Sequence, residues 1–91
     1  RLRQRRANRM PGFHYVYVLD SIPRPTRRHI GVAEEFSARL TQHNLGAVPE
    51  TARDRPWKLR AVVAFREAGR AEAFGKYLKT SAGRAFARRW L

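Results

Sequence analysis

The 91-residue sequence contains no cysteine, which removes disulfide frameworks, thiolate nucleophiles and Cys-ligated zinc from consideration. Acidic residues are scarce: 7 Asp and Glu stand against 20 Lys and Arg, a formal net charge of +13. No apolar run approaches the roughly 18 residues of a membrane span, so a soluble chain with no membrane association is expected. The Arg-rich start lacks the apolar segment of a signal peptide, and an intracellular, cytoplasmic setting is the expected one. Internal repeats and low-complexity tracts are also lacking, and the length argues for one compact domain.

The positive charge exceeds what a small domain needs for solubility, and it calls for a polyanionic partner. Nucleic acid is the first candidate, because each neutralised phosphate releases condensed counterions and strengthens binding without any sequence readout. Of the 20 basic residues 17 are Arg, whose planar fork clamps phosphate with paired donors where Lys offers a point charge. Hydrophobic residues make up 43% of the chain and aromatics 11%, enough for a modest core, so this is not a disordered basic tail.

Residues 1–12 read as a basic arm, with five Arg and no acid before Met10-Pro11-Gly12 punctuates the chain. Such an arm is either a solvated terminus or a segment that orders along phosphates. Residues 13–91 read as the domain. The run from His14 to Leu19 is rich in β-branched and aromatic residues and predicts a buried strand. Pro23 and Pro25 mark a turn, and His29 to Val32 returns as a second strand. From Ala33 to about His43 the spacing predicts a helix that stops at Asn44 or Gly46. The stretch 44–56 reads as loop, Trp57 to Phe65 as a third strand, and the segment with Ala71, Phe74, Gly75 and Leu78 as a second helix. Thr80 or Ser81 caps a third helix through Phe86 and Trp90. The order β-β-α-β-α-α predicts an α+β domain with a small three-stranded antiparallel sheet flanked by helices.

At 100° per residue, Arg39 lies about 60° and His43 about 20° from Phe36 on the first helix, so both share its apolar stripe. An unpaired buried charge is costly, so Arg39 either reaches a carboxylate or an open anion site, or snorkels from the helix edge.

Tyr15-Val16-Tyr17, His29-Ile30-Gly31, the run from Phe36 to Gly46, Thr51, Pro56-Trp57-Lys58-Leu59 and the run from Lys76 to Phe86 together resemble the small single-domain branch of the GIY-YIG endonuclease superfamily. The resemblance spans about His14 to Leu91. It implies a metal-dependent DNA endonuclease that hydrolyses phosphodiesters with a single Mg²⁺ or Mn²⁺ ion, working as a monomer or weak dimer. It assigns Tyr17 to activation of the attacking water and Arg39 to the scissile phosphate, and it places Tyr15 in the catalytic set. His43, one turn on, would bond phosphate or the nucleophile network, and His29 stands where the motif name has Tyr. A phenol titrating near pH 10 is a poor base at neutral pH unless its neighbours assist it. On the residues alone, Tyr17 also reads as a strand-packing aromatic and His29 as a structural imidazole.

Where the family pattern has the carboxylate that holds the metal, this chain has Gly75, between Phe74 and Lys76. Two accounts fit: a close helix–strand approach, or a substitution that weakens metal binding and disables cleavage. Glu72, one turn earlier, is a weak substitute, because about 4.5 Å of axial rise separates the two positions. DNA binding survives either way, since the cations remain. Lys76, Lys79, Arg84 and Arg88 are expected to flank the nucleic-acid groove. Asn44, Thr51 and Arg53 are expected in a substrate-reading loop, with Trp57 either stacking a base or packed in the core and Lys58 beside it for DNA contact. A non-catalytic DNA- or RNA-binding module using the same basic cleft is the alternative.

Overall fold

The computed structural model describes residues 12–91, so nearly all of the basic arm lies outside the described residues. Strands β1 (His14–Ser21), β2 (Arg28–Ala33) and β3 (Trp57–Phe65) form one antiparallel sheet in the order β2-β1-β3. The helices are α1 (Phe36–Leu45), α2 (Pro49–Ala52), α3 (Ala68–Leu78) and α4 (Ser81–Trp90). This is the α+β architecture expected from the sequence, a three-stranded antiparallel sheet with helices around it.

β1 is the central strand, and both of its faces are covered, which is why its sequence is an unbroken run of apolar and aromatic residues. Val16 and Val18 point to one face, where they join Ile30 and Val32 of β2, Ala71, Phe74 and Leu78 of α3, and Ala87 of α4. Tyr17 and Leu19 point to the other, with Trp57 of β3 and with Phe36 and Leu40 of α1. The period-two alternation of a strand thus separates an aliphatic core from a second, aromatic one.

Two boundaries differ from the sequence expectation. Ala33 belongs to β2, where it pairs with Tyr15, so α1 begins only at Phe36. The segment expected to be all loop contains α2, a single turn with Pro49 at its first position and Glu50 beside the positive end of its backbone. The remaining signals work as the sequence suggests. Gly46, at φ 80°, ends α1 in the left-handed region. The Thr80 hydroxyl accepts a hydrogen bond from the Gly83 amide at 3.1 Å and so caps α4.

One ion cluster ties the three strands together at the end of β1. Asp20 is buried and receives Arg28 of β2 at 3.2 Å and Arg60 of β3 at 2.7 Å. A buried carboxylate with two guanidinium partners makes two charge-assisted hydrogen bonds, and removing one partner would leave uncompensated charge.

Candidate active site

Alternation along β1 places Tyr17 on the face covered by α1, and the 3.6-residue period of α1 brings His43 down onto it. The Tyr17 hydroxyl lies 3.1 Å from Nε2 of His43, with Tyr17 1% and His43 0% exposed. Space for the phenol comes from Gly31, the register partner of Tyr17 on β2: a Cβ at that position would fall on the Tyr17 hydroxyl.

His43 has a second partner. Its Nδ1 lies 2.7 Å from Oγ1 of Thr51, and that hydroxyl reaches the Val48 carbonyl at 3.3 Å. Thr51 is in turn fixed by Trp57, whose indole N–H donates to the Thr51 carbonyl at 2.9 Å. Asn44 closes the loop onto β3 by accepting from the Trp57 amide at 2.6 Å and donating to the Trp57 carbonyl at 3.0 Å. The turn α2, absent from the sequence expectation, is therefore what holds the inner side of His43.

His29 of β2 completes the cluster, with its ring centroid 4.6 Å from that of His43 and 6.1 Å from that of Tyr17. Its pKa is lowered from 6.5 to about 4, first by burial and then by the His43, Lys79 and Arg39 charges, with Glu50 opposing. Burial also lowers the His43 pKa, Arg39 adds to that, and Glu50 opposes it. Both imidazoles are consequently neutral at pH 7, able to accept a proton or to donate one. Arg39, one turn before His43, is partly buried at the rim and donates to the neutral Gln42 side chain at 2.7 Å. Its guanidinium keeps further donors for an anion.

The site opens toward β2, an edge strand. Along that edge runs an open groove of about 770 Å³, lined by Arg27, Arg28 and His29, by Glu50 of α2, by Lys79 at the end of α3, and by Arg84 and Arg88 of α4. Two of these cations have carboxylate partners: Arg28 binds Asp20 at 3.2 Å, and Arg27 lies 3.8 Å from Asp54.

Of the residues expected in catalysis, the fold brings Tyr17, His29, Arg39 and His43 to one neighbourhood on one sheet face. Tyr15 shares that face and packs edge-on against Phe36, with centroids 5.2 Å apart. Lys79, Arg84 and Arg88 line the groove, whereas Arg53, Lys58 and Lys76 are exposed outside its lining. Thr51 and Asn44, expected to contact nucleic acid, are engaged inward instead, and Trp57 takes the core placement given as its alternative. Thr51 is 2% and Trp57 4% exposed, so the hydroxyl and the indole serve the interior, and the Asn44 amide is engaged by the β3 backbone. Sequence reasoning missed Arg27, Arg28 and Glu50 as groove residues. The adjacent Arg pair at the start of β2 was a usable signal, while nothing in the sequence pointed to Glu50.

Gly75 lies in the other layer, buried in α3, and a Cβ built on it would meet Cγ2 of Val32 at 3.1 Å. The position therefore faces β2 across a close helix–strand contact. Glu72 is exposed on α3. Among the described residues no group of three or more His, Asp or Glu side chains is gathered in a way that could hold a metal ion. The side chains present at Gly75 and around it do not fit a divalent cation.

No protein-family model matches the chain. Over 60 residues it is 40% identical to the structure-specific endonuclease subunit SLX1 of Candida dubliniensis, a match that covers 59% of this chain and 21% of that protein. The likeness is thus to one segment of a nuclease, about a fifth of that protein's length.

Proposed function

We propose that this chain is a DNA endonuclease domain of the GIY-YIG type, built to hydrolyse phosphodiester bonds but impaired in its present form by Gly75. The observation that carries this reading is the convergence of Tyr17, His29 and His43 on one sheet face, with Arg39 at its rim and a cationic groove alongside. The likeness to a segment of an endonuclease supports it.

In this reading neutral His43 accepts the phenol proton of Tyr17, and the phenolate takes a proton from water. The resulting hydroxide attacks phosphorus, the bond to the leaving ester oxygen breaks and that oxygen takes a proton from solvent, while His43 gives up the proton it received. Arg39 stabilises the charge that builds on the non-bridging oxygens as this happens. The phenol is nearly fully buried, so an incoming phosphate meets the cluster first at His29 and Arg39, both half-buried. A divalent ion, when bound, supplies charge neutralisation worth several kcal/mol to such reactions. With no carboxylate at Gly75, Mg²⁺ or Mn²⁺ binding is proposed to be weak and cleavage correspondingly slow.

The same close contact between Gly75 and Val32 favours a second reading, a binding module that holds DNA or RNA in the groove without cutting it. Cleavage of a labelled oligonucleotide with Mg²⁺ or Mn²⁺ separates the two. Gly75→Glu is expected to cut where the unaltered chain does not, its carboxylate reaching round the edge of β2 to the side where Lys79, one turn later, lies near His29. Pairing it with Val32→Ala makes room for the new side chain at the 3.1 Å contact. If both variants fold, bind and leave the oligonucleotide intact, the binding module is the better description.

A further inference from the structure

We infer that Thr51 is a positioning residue: its hydroxyl fixes the tautomer of His43, so that Nε2 carries the lone pair facing the Tyr17 phenol. The tautomer follows from counting protons in a buried cluster. The Tyr17 phenol, the neutral His43 ring and the Thr51 hydroxyl each bring one proton to be placed. With exposures of 1%, 0% and 2%, all three residues have to satisfy their protons within the cluster in the resting state.

With Nδ1 protonated, every proton has an acceptor. The phenol donates to Nε2 at 3.1 Å, Nδ1–H donates to Thr51 Oγ1 at 2.7 Å, and the Thr51 hydroxyl donates to the Val48 carbonyl at 3.3 Å. The last bond is the backward side-chain contact that Thr commonly makes in a first helical turn. With Nε2 protonated, the ring N–H would point at the phenol oxygen and the Thr51 hydroxyl would turn onto Nδ1. The phenol proton would then have no acceptor among the described residues of the cluster, an arrangement that buried polar groups avoid.

Thr51 is itself doubly anchored, through its amide to the Val48 carbonyl at 3.1 Å and through its carbonyl to the Trp57 indole at 2.9 Å. A rigid acceptor at Nδ1 is the device by which proteins select the nitrogen left free for chemistry. Resting on the nuclease reading above, the consequence is directional: with Thr51 at Nδ1, the form that can take the phenol proton is the one with every proton satisfied.

Long-range ¹H–¹⁵N correlation spectra of the histidine rings in the ¹⁵N-labelled chain at neutral pH test the tautomer without any need for cleavage. The unaltered chain should show His43 protonated at Nδ1, Thr51→Ser should preserve that pattern, and Thr51→Val, which strands the Nδ1 proton, should give a mixture of the two tautomers. Protonation at Nε2 in the unaltered chain would overturn the inference, as would an unchanged pattern in a folded Thr51→Val. Should Thr51→Val fail to fold, the unaltered chain and Thr51→Ser still decide the matter. In a Gly75→Glu background, adding Thr51→Val should lower kcat about 10- to 100-fold with KM little altered, and Thr51→Ser should restore it. Loss in KM alone would overturn the positioning role. Absence of cutting by Gly75→Glu itself would instead count against the nuclease reading, with the spectra still judging the tautomer.

Discussion

At the residue scale, Tyr17 keeps its place because Gly31 has no side chain. Gly31→Ala puts a methyl group where the phenol oxygen now lies, and either the ring or β2 must move. Overpacking of this kind costs about 1–3 kcal/mol, so the urea midpoint should fall, and the Tyr17–His43 bond should lengthen or break. An unchanged midpoint together with an unchanged Tyr17 environment would contradict the packing. The imidazoles give a second prediction. His29 carries a folded pKa of about 4 against 6.5 when free, so between these values the unfolded chain binds more protons. Stability therefore rises with pH across that window: it is fully present above about 6.5 and is lost as pH falls toward 4, with His43 acting in the same direction. Thermal unfolding should show Tm falling on acidification through this range, and the His29 ring resonances should titrate well below 6.5. A His29 midpoint near 6.5 would remove the basis of the prediction.

At the scale of elements, the capping of α4 holds two groove cations in place. Thr80 accepts from the Gly83 amide at 3.1 Å, and Arg84 and Arg88 follow within two turns. Thr80→Ala should cost about 1 kcal/mol and lower Tm by about 4–8 °C for a domain of this size. Thr80→Ser should restore most of it. Equal stability of all three forms, judged by calorimetry, would mean that packing of Phe86 and Ala87 alone orders this helix. The strands and the longer helices were legible in the sequence because their apolar spacing is set by the same burial that stabilises them. The start of α1 was misplaced because Ala33 suits a helix on propensity but is captured by pairing with Tyr15. α2 was missed because a single turn has too few residues to show a period, and Pro49 reads equally as loop.

At the scale of the whole molecule, the described residues gather part of the excess positive charge into a groove along β2. Nucleic-acid affinity should fall steeply with salt. Removing Arg84 or Arg88 should each reduce the slope of log K against log [salt] by about one, as expected for a lost phosphate contact. Lys58→Ala, on the opposite edge strand, should change the slope less, and fluorescence anisotropy with a labelled oligonucleotide measures all three. Equal effects from Arg84, Arg88 and Lys58 would describe a diffuse cationic surface in place of a groove.

The sequence by itself determined the order of the strands and the longer helices, the cationic character and the burial of the first strand. These depend on spacing and charge, which are local and additive. It also carried the candidate residues Tyr17, His29, Arg39 and His43 as one pattern. Only the tertiary structure decided which side chains face inward across chain separations that no periodicity spans: Thr51 and Trp57 behind His43, Arg27 and Arg28 in the groove with α4, Gly75 against Val32. Those choices follow from which faces the sheet and helices bury against one another, and hydrogen-bond donors are assigned only after that packing excludes water.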